Sequence, residues 1–254
     1  MMNVLALYQL KGGVGKTSTA VNLASLAAAS GLQVLLWDLD PQGAATWLSG
    51  VDATLDAKSK HWLKGKSALG RYVERSPVGG FDVLPAASAH RLLDVLLNKV
   101  DHPEQALAKL LKPFSEHYQL VILDAPPSLS HLADNVMIAA DCVLLPVIPG
   151  FLAQRTLELV AERMDVLKQP RRKMAAFYTM VDRRRTVHRE QRQVQPVSGV
   201  SWLDADIPYA SSVERMGLYR QPLSGFTAAA DPANAAYAAL WLAVQQQLSR
   251  LRTA

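Results

Sequence analysis

Short apolar runs recur along the chain, with longer amphipathic stretches between them. The runs are residues 3–8, Gln33 to Trp37, Phe81 to Leu84, Leu120 to Leu123, Cys142 to Val147 and Met174 to Tyr178, with a weaker seventh at Gly199 to Trp202. Most are continuous rather than alternating, the pattern of strands buried on both faces of a parallel sheet. Helical periods fill 16–30, 88–98, 103–116, 131–140, 153–168 and 232–252. Strand and helix in alternation predict an α/β fold: a doubly wound, mostly parallel sheet of about seven strands with helices on both faces. Ligands of such sheets bind at the carboxyl ends of the strands. Residues 50–70, with Asp52, Lys58, Lys60, Lys64 and Lys66, interrupt the alternation and read as a polar surface excursion. Residues 183–200 have mixed charge and no clear period, and are expected to be mobile. No internal repeat or low-complexity linker divides the chain, so a single domain over 1–254 is expected.

Composition narrows the class. At 254 residues, 50% hydrophobic and 19% charged, the chain is long enough for one sizeable core. Its single cysteine, Cys142, lies in an apolar run. It excludes a disulfide within the chain and a cysteine-held metal, and reads as a small buried hydrophobe. No apolar run approaches the ~20 residues of a membrane span. The first residues read as a strand rather than a signal peptide, so a cytoplasmic location is expected. The net charge is +5, and basic residues crowd late in the chain: Arg171 to Lys173, then Arg183, Arg184, Arg185, Arg189 and Arg192. Such a cluster attracts a polyanion by electrostatics, or simply forms a solvated basic face.

The first apolar run leads directly into Lys11-Gly12-Gly13-Val14-Gly15-Lys16-Thr17-Ser18, and a helical pattern follows. Strand, glycine-rich turn and helix is the context of a phosphate-binding loop. Glycines let the backbone curl so that its N–H groups point at phosphate oxygens, and the helix N-terminus adds its positive dipole end. Lys16 supplies a cation to the terminal phosphates and Thr17 a hydroxyl to Mg²⁺. The usual first glycine is replaced by Leu10, and a second lysine, Lys11, stands beside it.

Two acidic signals follow. Leu36-Trp37-Asp38-Leu39-Asp40-Pro41-Gln42-Gly43 ends an apolar run in two aspartates before a Pro/Gly turn. Strand alternation puts Asp38 and Asp40 on one face. There they approach Mg²⁺ or a water near the γ-phosphate, or they cap the next element. Leu120-Val121-Ile122-Leu123-Asp124 is four apolar residues and an acid, the Walker B pattern, whose carboxylate holds a magnesium-bound water.

In this order, Lys-Gly-Gly-Val-Gly-Lys-Thr-Ser, Asp-Leu-Asp-Pro-Gln-Gly-Ala-Ala-Thr and Leu-Asp-Ala-Pro-Pro-Ser resemble the deviant-Walker ATPases of the ParA/MinD group, most of all its ParA (Soj-like) partition branch. The resemblance covers most of the chain and is most specific in the first 45 residues. It implies a homodimer sandwiching two ATP molecules, with Lys11 of each subunit reaching the partner's phosphates. Lys16 then serves in cis and Thr17 ligates Mg²⁺. Asp40 orients the attacking water, and Asp38 and Asp124 support the metal's water shell. Met180 and Pro208 stand where the family packs adenine. It further implies non-specific DNA binding in the ATP state, nucleoid association, and a ParB-like or cargo-adaptor protein that stimulates hydrolysis.

The chain departs from the family in two places. Gln9-Leu10 replaces Asn-Gln before the first lysine, and Tyr209-Ala210-Ser211-Ser212 replaces an arginine-bearing segment after Ile207-Pro208. The DNA expectation therefore falls on Arg183, Arg184, Arg185, Arg189 and Arg192, with Arg215 and Arg220. No helix-turn-helix extension precedes the first strand, so operator binding is not expected. The MinD-like alternative needs a basic amphipathic C-terminal helix. Here Tyr237, Trp241, Val244, Leu248 and Leu251 form an apolar stripe opposite Gln245, Gln246 and Gln247, which reads as core packing, and a membrane partner is not expected. A metabolic ATP-dependent ligase on the same fold is the remaining alternative.

Overall fold

The computed structural model describes residues 1–52, 69–86, 97, 102–150, 152–182, 184–191 and 197–253. Its strands are β1 (Asn3–Leu7), β2 (Val34–Asp38), β3 (Glu74–Arg75), β4 (Asp82–Leu84), β5 (Leu120–Asp124), β6 (Cys142–Val147), β7 (Met174–Tyr178) and β8 (Ser201–Trp202). They form one eight-stranded sheet in the order β3-β4-β2-β5-β1-β6-β7-β8. All neighbours are parallel except β3, which pairs antiparallel with β4. The described helices are α1 (Lys16–Ala29), α2 (Ala44–Leu48), α3 (Ala106–Leu111), α4 (His131–Ala139), α5 (Ala153–Val166), α6 (Thr186–Gln191), α7 (Ser211–Tyr219) and α8 (Pro232–Thr253).

Side-chain alternation along the strands builds two cores. Val4, Ala6 and Tyr8 of the first strand and its extension face one way, joining Leu35, Trp37, Val121 and Leu123 with residues of α3, α4 and α5. Leu5 and Leu7 face the other way, joining Leu36 and Ile122 with α1 and α8. The central strands β2, β5 and β6 are buried at every position, which is why they read as unbroken apolar runs. Tyr237, Leu240, Trp241, Val244 and Leu248 of α8 are buried in the second core, so the apolar stripe of that helix is a packing face. Cys142 is fully buried, as its surroundings in sequence imply.

The structure adds elements that the pattern does not announce. β3 is an exposed two-residue edge strand, too short for any period. α2 has five residues and α7 nine, so neither runs long enough to establish a period. α6 forms inside the segment expected to be mobile, anchored by buried His188. The helix expected over 103–116 is α helical only at Ala106–Leu111, with 3₁₀ turns on either side. Pro113 lacks the N–H that a continuous helix needs there. All of the helix expected over 88–98 except Leu97, and most of the excursion at 50–70, lie outside the described residues.

β1 lies between β5 and β6, with β2 beyond β5 on one side. Connections leave β1 and β6 toward opposite edges, which opens a crevice at the carboxyl ends of the central strands. The glycine-rich loop, Asp38 and Asp124 all emerge there.

Candidate functional site

The loop after β1 has the backbone its glycines predict. Gly13 (φ 69°) and Gly15 (φ 83°) are left-handed, and Gly15 is the N-cap of α1 with no side-chain cap bond. The first-turn N–H groups of α1 therefore remain available to an anion. Lys16 is 7% exposed, and its Nζ donates to the Lys11 carbonyl at 3.4 Å, so the side chain folds back along the inside of the loop. Burial lowers its pKa, opposed by the nearby Asp124 and Asp40 charges. Lys11, Gly12 and Gly13 are exposed, Val14 is buried, and Thr17 and Ser18 are half-buried. The two lysines of one loop thus occupy opposite environments.

Register brings the acids together. Asp38 and Asp124 are paired positions at the ends of β2 and β5. Thr17 Oγ1 donates to Asp124 Oδ2 at 2.8 Å. The other oxygen, Asp124 Oδ1, is buried with no hydrogen-bond partner. Burial first and the Asp38 charge second push the Asp124 carboxyl up to about 8, with the Thr17 hydrogen bond and Lys16 opposing. An orphaned buried carboxylate oxygen beside a threonine hydroxyl and a buried lysine fits a hydrated divalent cation. Among the described residues no group of three or more His, Cys, Asp or Glu could hold a metal ion. That suits Mg²⁺, which is held by one or two protein groups, waters and phosphate oxygens.

Asp38 differs from Asp124 in that both its oxygens are taken. Oδ2 accepts from the Thr46 N–H at 2.8 Å and the Thr46 hydroxyl at 2.7 Å, and Oδ1 accepts from the Asp40 N–H at 3.2 Å. Burial raises its pKa to about 6, while the Thr46 bonds pull it down. Of the two roles the sequence leaves open, capping the next element describes these contacts. Asp40 is half-buried, and its Oδ1 accepts from the Gln42 N–H at 2.9 Å, closing the turn.

An isolated parallel bridge between Val181 and Pro208 places Pro208 opposite the residue that follows Met180. Met180 adopts φ 52°, and its Cε lies 4.0 Å from where a Cβ on Gly15 would be. Thr179 Oγ1 lies 3.3 Å from that same point, a tight contact, and the left-handed φ of 83° disfavours any side chain at 15.

The arginines divide. Arg184, 87% exposed at its side chain, pairs with Asp182 at 2.9 Å, and Arg185 and Arg215 are exposed. Arg220 stacks 3.8 Å over the Trp47 ring and pairs with Asp52. Arg183 and Arg192 lie outside the described residues, as does the side chain of Arg189.

Sequence reasoning passed over three contributors. Gln9 is 2% exposed and ties the loop's start to β6 through the Pro146 carbonyl at 3.4 Å. Asn22 donates to the Ser18 carbonyl and accepts from the Leu223 N–H, joining α1 to the chain before α8. Thr46 is the third, and its place as the last residue of the quoted Asp-Leu-Asp-Pro-Gln-Gly-Ala-Ala-Thr stretch was the available signal.

A family model described as an AAA domain matches residues 2–176. The chain is 42% identical over 167 residues to the chromosome-partitioning ATPase Soj of Thermus thermophilus, covering 66% of this chain and 62% of that one. It is 31% identical over 234 residues to the chromosome partitioning protein ParA of Caulobacter vibrioides, covering 87% and 86%. The chain spans just under two thirds of the first relatives it matches: 64% of an uncharacterized Pseudomonas putida protein and 62% of the Soj protein. Among solved structures it resembles cobyrinic acid a,c-diamide synthase of Mycobacterium smegmatis with bound ADP and magnesium, with TM-score 0.79, 26% identity and coverage of 98% and 96%.

Proposed function

We propose a function from the premise that the chain belongs to the ParA/MinD-type P-loop ATPases, next to Soj and ParA: it binds ATP with Mg²⁺, dimerises around the nucleotide, and hydrolyses it to release a DNA-bound state. When bound, Mg²⁺ neutralises charge on the phosphate oxygens. Lys16 stabilises the phosphates from within its own subunit, and Thr17 and Asp124 hold the metal and its water. Asp40, at the end of its turn, orients the attacking water. Lys11 serves the second subunit's nucleotide, stabilising charge on the transferring phosphoryl group as an arginine finger does. Met180 and Pro208 flank the base. The observation that carries this reading is the split between buried Lys16 and exposed Lys11 on one loop, since a lysine serving a partner must stand outside its own cradle.

The ATP-state dimer binds non-specific DNA through exposed arginines, Arg184, Arg185 and Arg215 among them, and a partner protein on the cargo stimulates hydrolysis. The cargo class is a plasmid, a chromosome or a protein assembly. No described helix is long and apolar enough to cross a membrane, and the stripe on α8 is spent on the core, which favours DNA over a membrane surface.

Lys11→Ala and Asp40→Ala decide the mechanism. Both should bind ATP. Lys11→Ala should fail to form the ATP-dependent dimer by light scattering, and both should lose ATPase activity by ~10²-fold or more. Full activity in both variants overturns the reading. The M. smegmatis likeness supplies a second reading, an ATP-dependent amide-forming enzyme. In that case ATP turnover requires a carboxylic acid substrate and is indifferent to Lys11.

A further inference from the structure

Thr46 belongs to none of the roles assigned above, yet it is 6% exposed and makes three hydrogen bonds at one point. Its backbone N–H and its hydroxyl both donate to Asp38 Oδ2, at 2.8 and 2.7 Å. Its hydroxyl oxygen accepts from the Ala86 N–H at 2.9 Å, just past β4. The local fold explains the first bond. Gly43, the N-cap of α2, is left-handed and has no side chain to bond the first turn. Thr46 stands three residues further on, where an N-cap side chain would ordinarily accept an N–H. Asp38, eight residues back along the chain, supplies that acceptor instead.

The consequence reaches the turn. With Oδ2 held by Thr46, the carboxylate plane is fixed and Oδ1 accepts from the Asp40 N–H. Both oxygens of Asp38 thereby accept from protein donors, whereas Asp124 keeps an oxygen with no hydrogen-bond partner. We propose that Thr46 is a positioning residue for Asp40: its hydroxyl bridges Ala86 to Asp38, Asp38 fixes the Asp40 backbone, and the turn holds the Asp40 carboxylate where hydrolysis needs it. Asp38 acts in this chain as the structural acceptor that links Thr46 to the Asp40 backbone. The catalytic half of this inference rests on the ATPase reading above. The structural half does not.

Thr46→Val tests it, because valine keeps the shape and the backbone N–H and removes only the hydroxyl. In nucleotide-free protein the Asp40 amide should exchange ~10-fold faster by NMR, with amides of β5 and α1 unchanged. With ATP, kcat should fall ~10-fold or more while KM and the dissociation constant for ATP stay within ~2-fold, the signature of a group acting on the chemical step. Thr46→Ser should restore both readouts to within ~2-fold of wild type, since it returns the hydroxyl. If Thr46→Val does not fold, Thr46→Ala is read in its place. Unchanged Asp40 exchange overturns the inference, as does a Thr46→Ser as impaired as Thr46→Val, or a loss confined to KM. A wild-type protein without ATPase activity overturns the functional reading instead, and leaves the Asp40 exchange result to stand or fall separately.

Discussion

Thr17 and Asp124 are joined by a 2.8 Å hydrogen bond between residues 107 apart in sequence, and the bond locks the end of the phosphate loop to the end of β5. It uses one carboxylate oxygen and leaves the other buried and unpartnered. A buried carboxyl group in that state costs the empty protein stability, and on the ATPase reading a bound cation would offset that cost.

Asp124→Asn follows from this directly. The amide oxygen still accepts from Thr17, and the carboxyl group whose ionisation burial opposes is gone. The nucleotide-free variant should be more stable than wild type by ~1 kcal/mol in chemical denaturation. Its Mg²⁺-dependent ATPase activity should fall ~10-fold or more. A less stable nucleotide-free variant would show that the carboxylate is no burden to the fold.

Met180 separates backbone strain from ligand contact. A non-glycine residue at φ 52° carries a conformational cost, on the order of 1 kcal/mol. Met180→Gly removes that cost together with the thioether beside Gly15. Stability should change by less than ~1 kcal/mol, because the gain in the folded backbone offsets the greater freedom of the unfolded chain. Affinity for ATP should weaken ~5-fold or more if the side chain packs the base, read by calorimetry against Pro208→Ala.

How far the sequence carries depends on how local each contact is. Lys11 to Ser18 are contiguous, so their loop was legible outright, and the apolar runs ending in Asp38 and Asp124 placed both acids at strand ends. Their pairing is a matter of register between β2 and β5, which alternating strand and helix implies only in outline. Thr46 lies in a motif whose pattern assigns it no role, because its bond to Asp38 depends on the left-handed turn at Gly43 folding α2 back over the strand end. α7 is hidden by its brevity: nine residues place only Met216 in the core with Val213 packed beside it, too few to set a period. The arginines are the least legible, since charge on a sequence does not distinguish a solvent-exposed guanidinium from one stacked on Trp47.

That distinction predicts opposite outcomes within the basic set. Arg220 caps α7 in the left-handed region, stacks on Trp47 and pairs with Asp52. Arg220→Ala should cost ~1 kcal/mol of stability and leave the salt dependence of DNA binding unchanged. Arg184→Ala combined with Arg185→Ala should cost little stability, weaken ATP-dependent DNA binding uniformly across sequences, and lower the slope of log affinity against log salt by ~1 to 2. An Arg220→Ala variant that stays stable but loses DNA binding would reverse the assignment.

His188 makes the anchoring of the basic segment pH-dependent. It is 3% exposed on α6, and its Nδ1 accepts from the Asp182 N–H at 3.0 Å, which requires the neutral ring. Burial lowers its pKa from the ordinary 6.5; the Arg185 charge lowers it further and Asp182 opposes. The stabilising contribution is therefore present above pH 6.5 and is lost as pH falls through the depressed folded value, because the detached ring binds a proton that the docked ring refuses. Amide exchange across Thr186–Gln191, corrected for its intrinsic pH dependence, should quicken several-fold as pH falls below the ordinary 6.5 while the β1 and β5 amides hold. In His188→Gln that pH dependence should vanish, since the glutamine oxygen can accept from Asp182 without titrating. Persistence of the same profile in His188→Gln would assign the transition to another group.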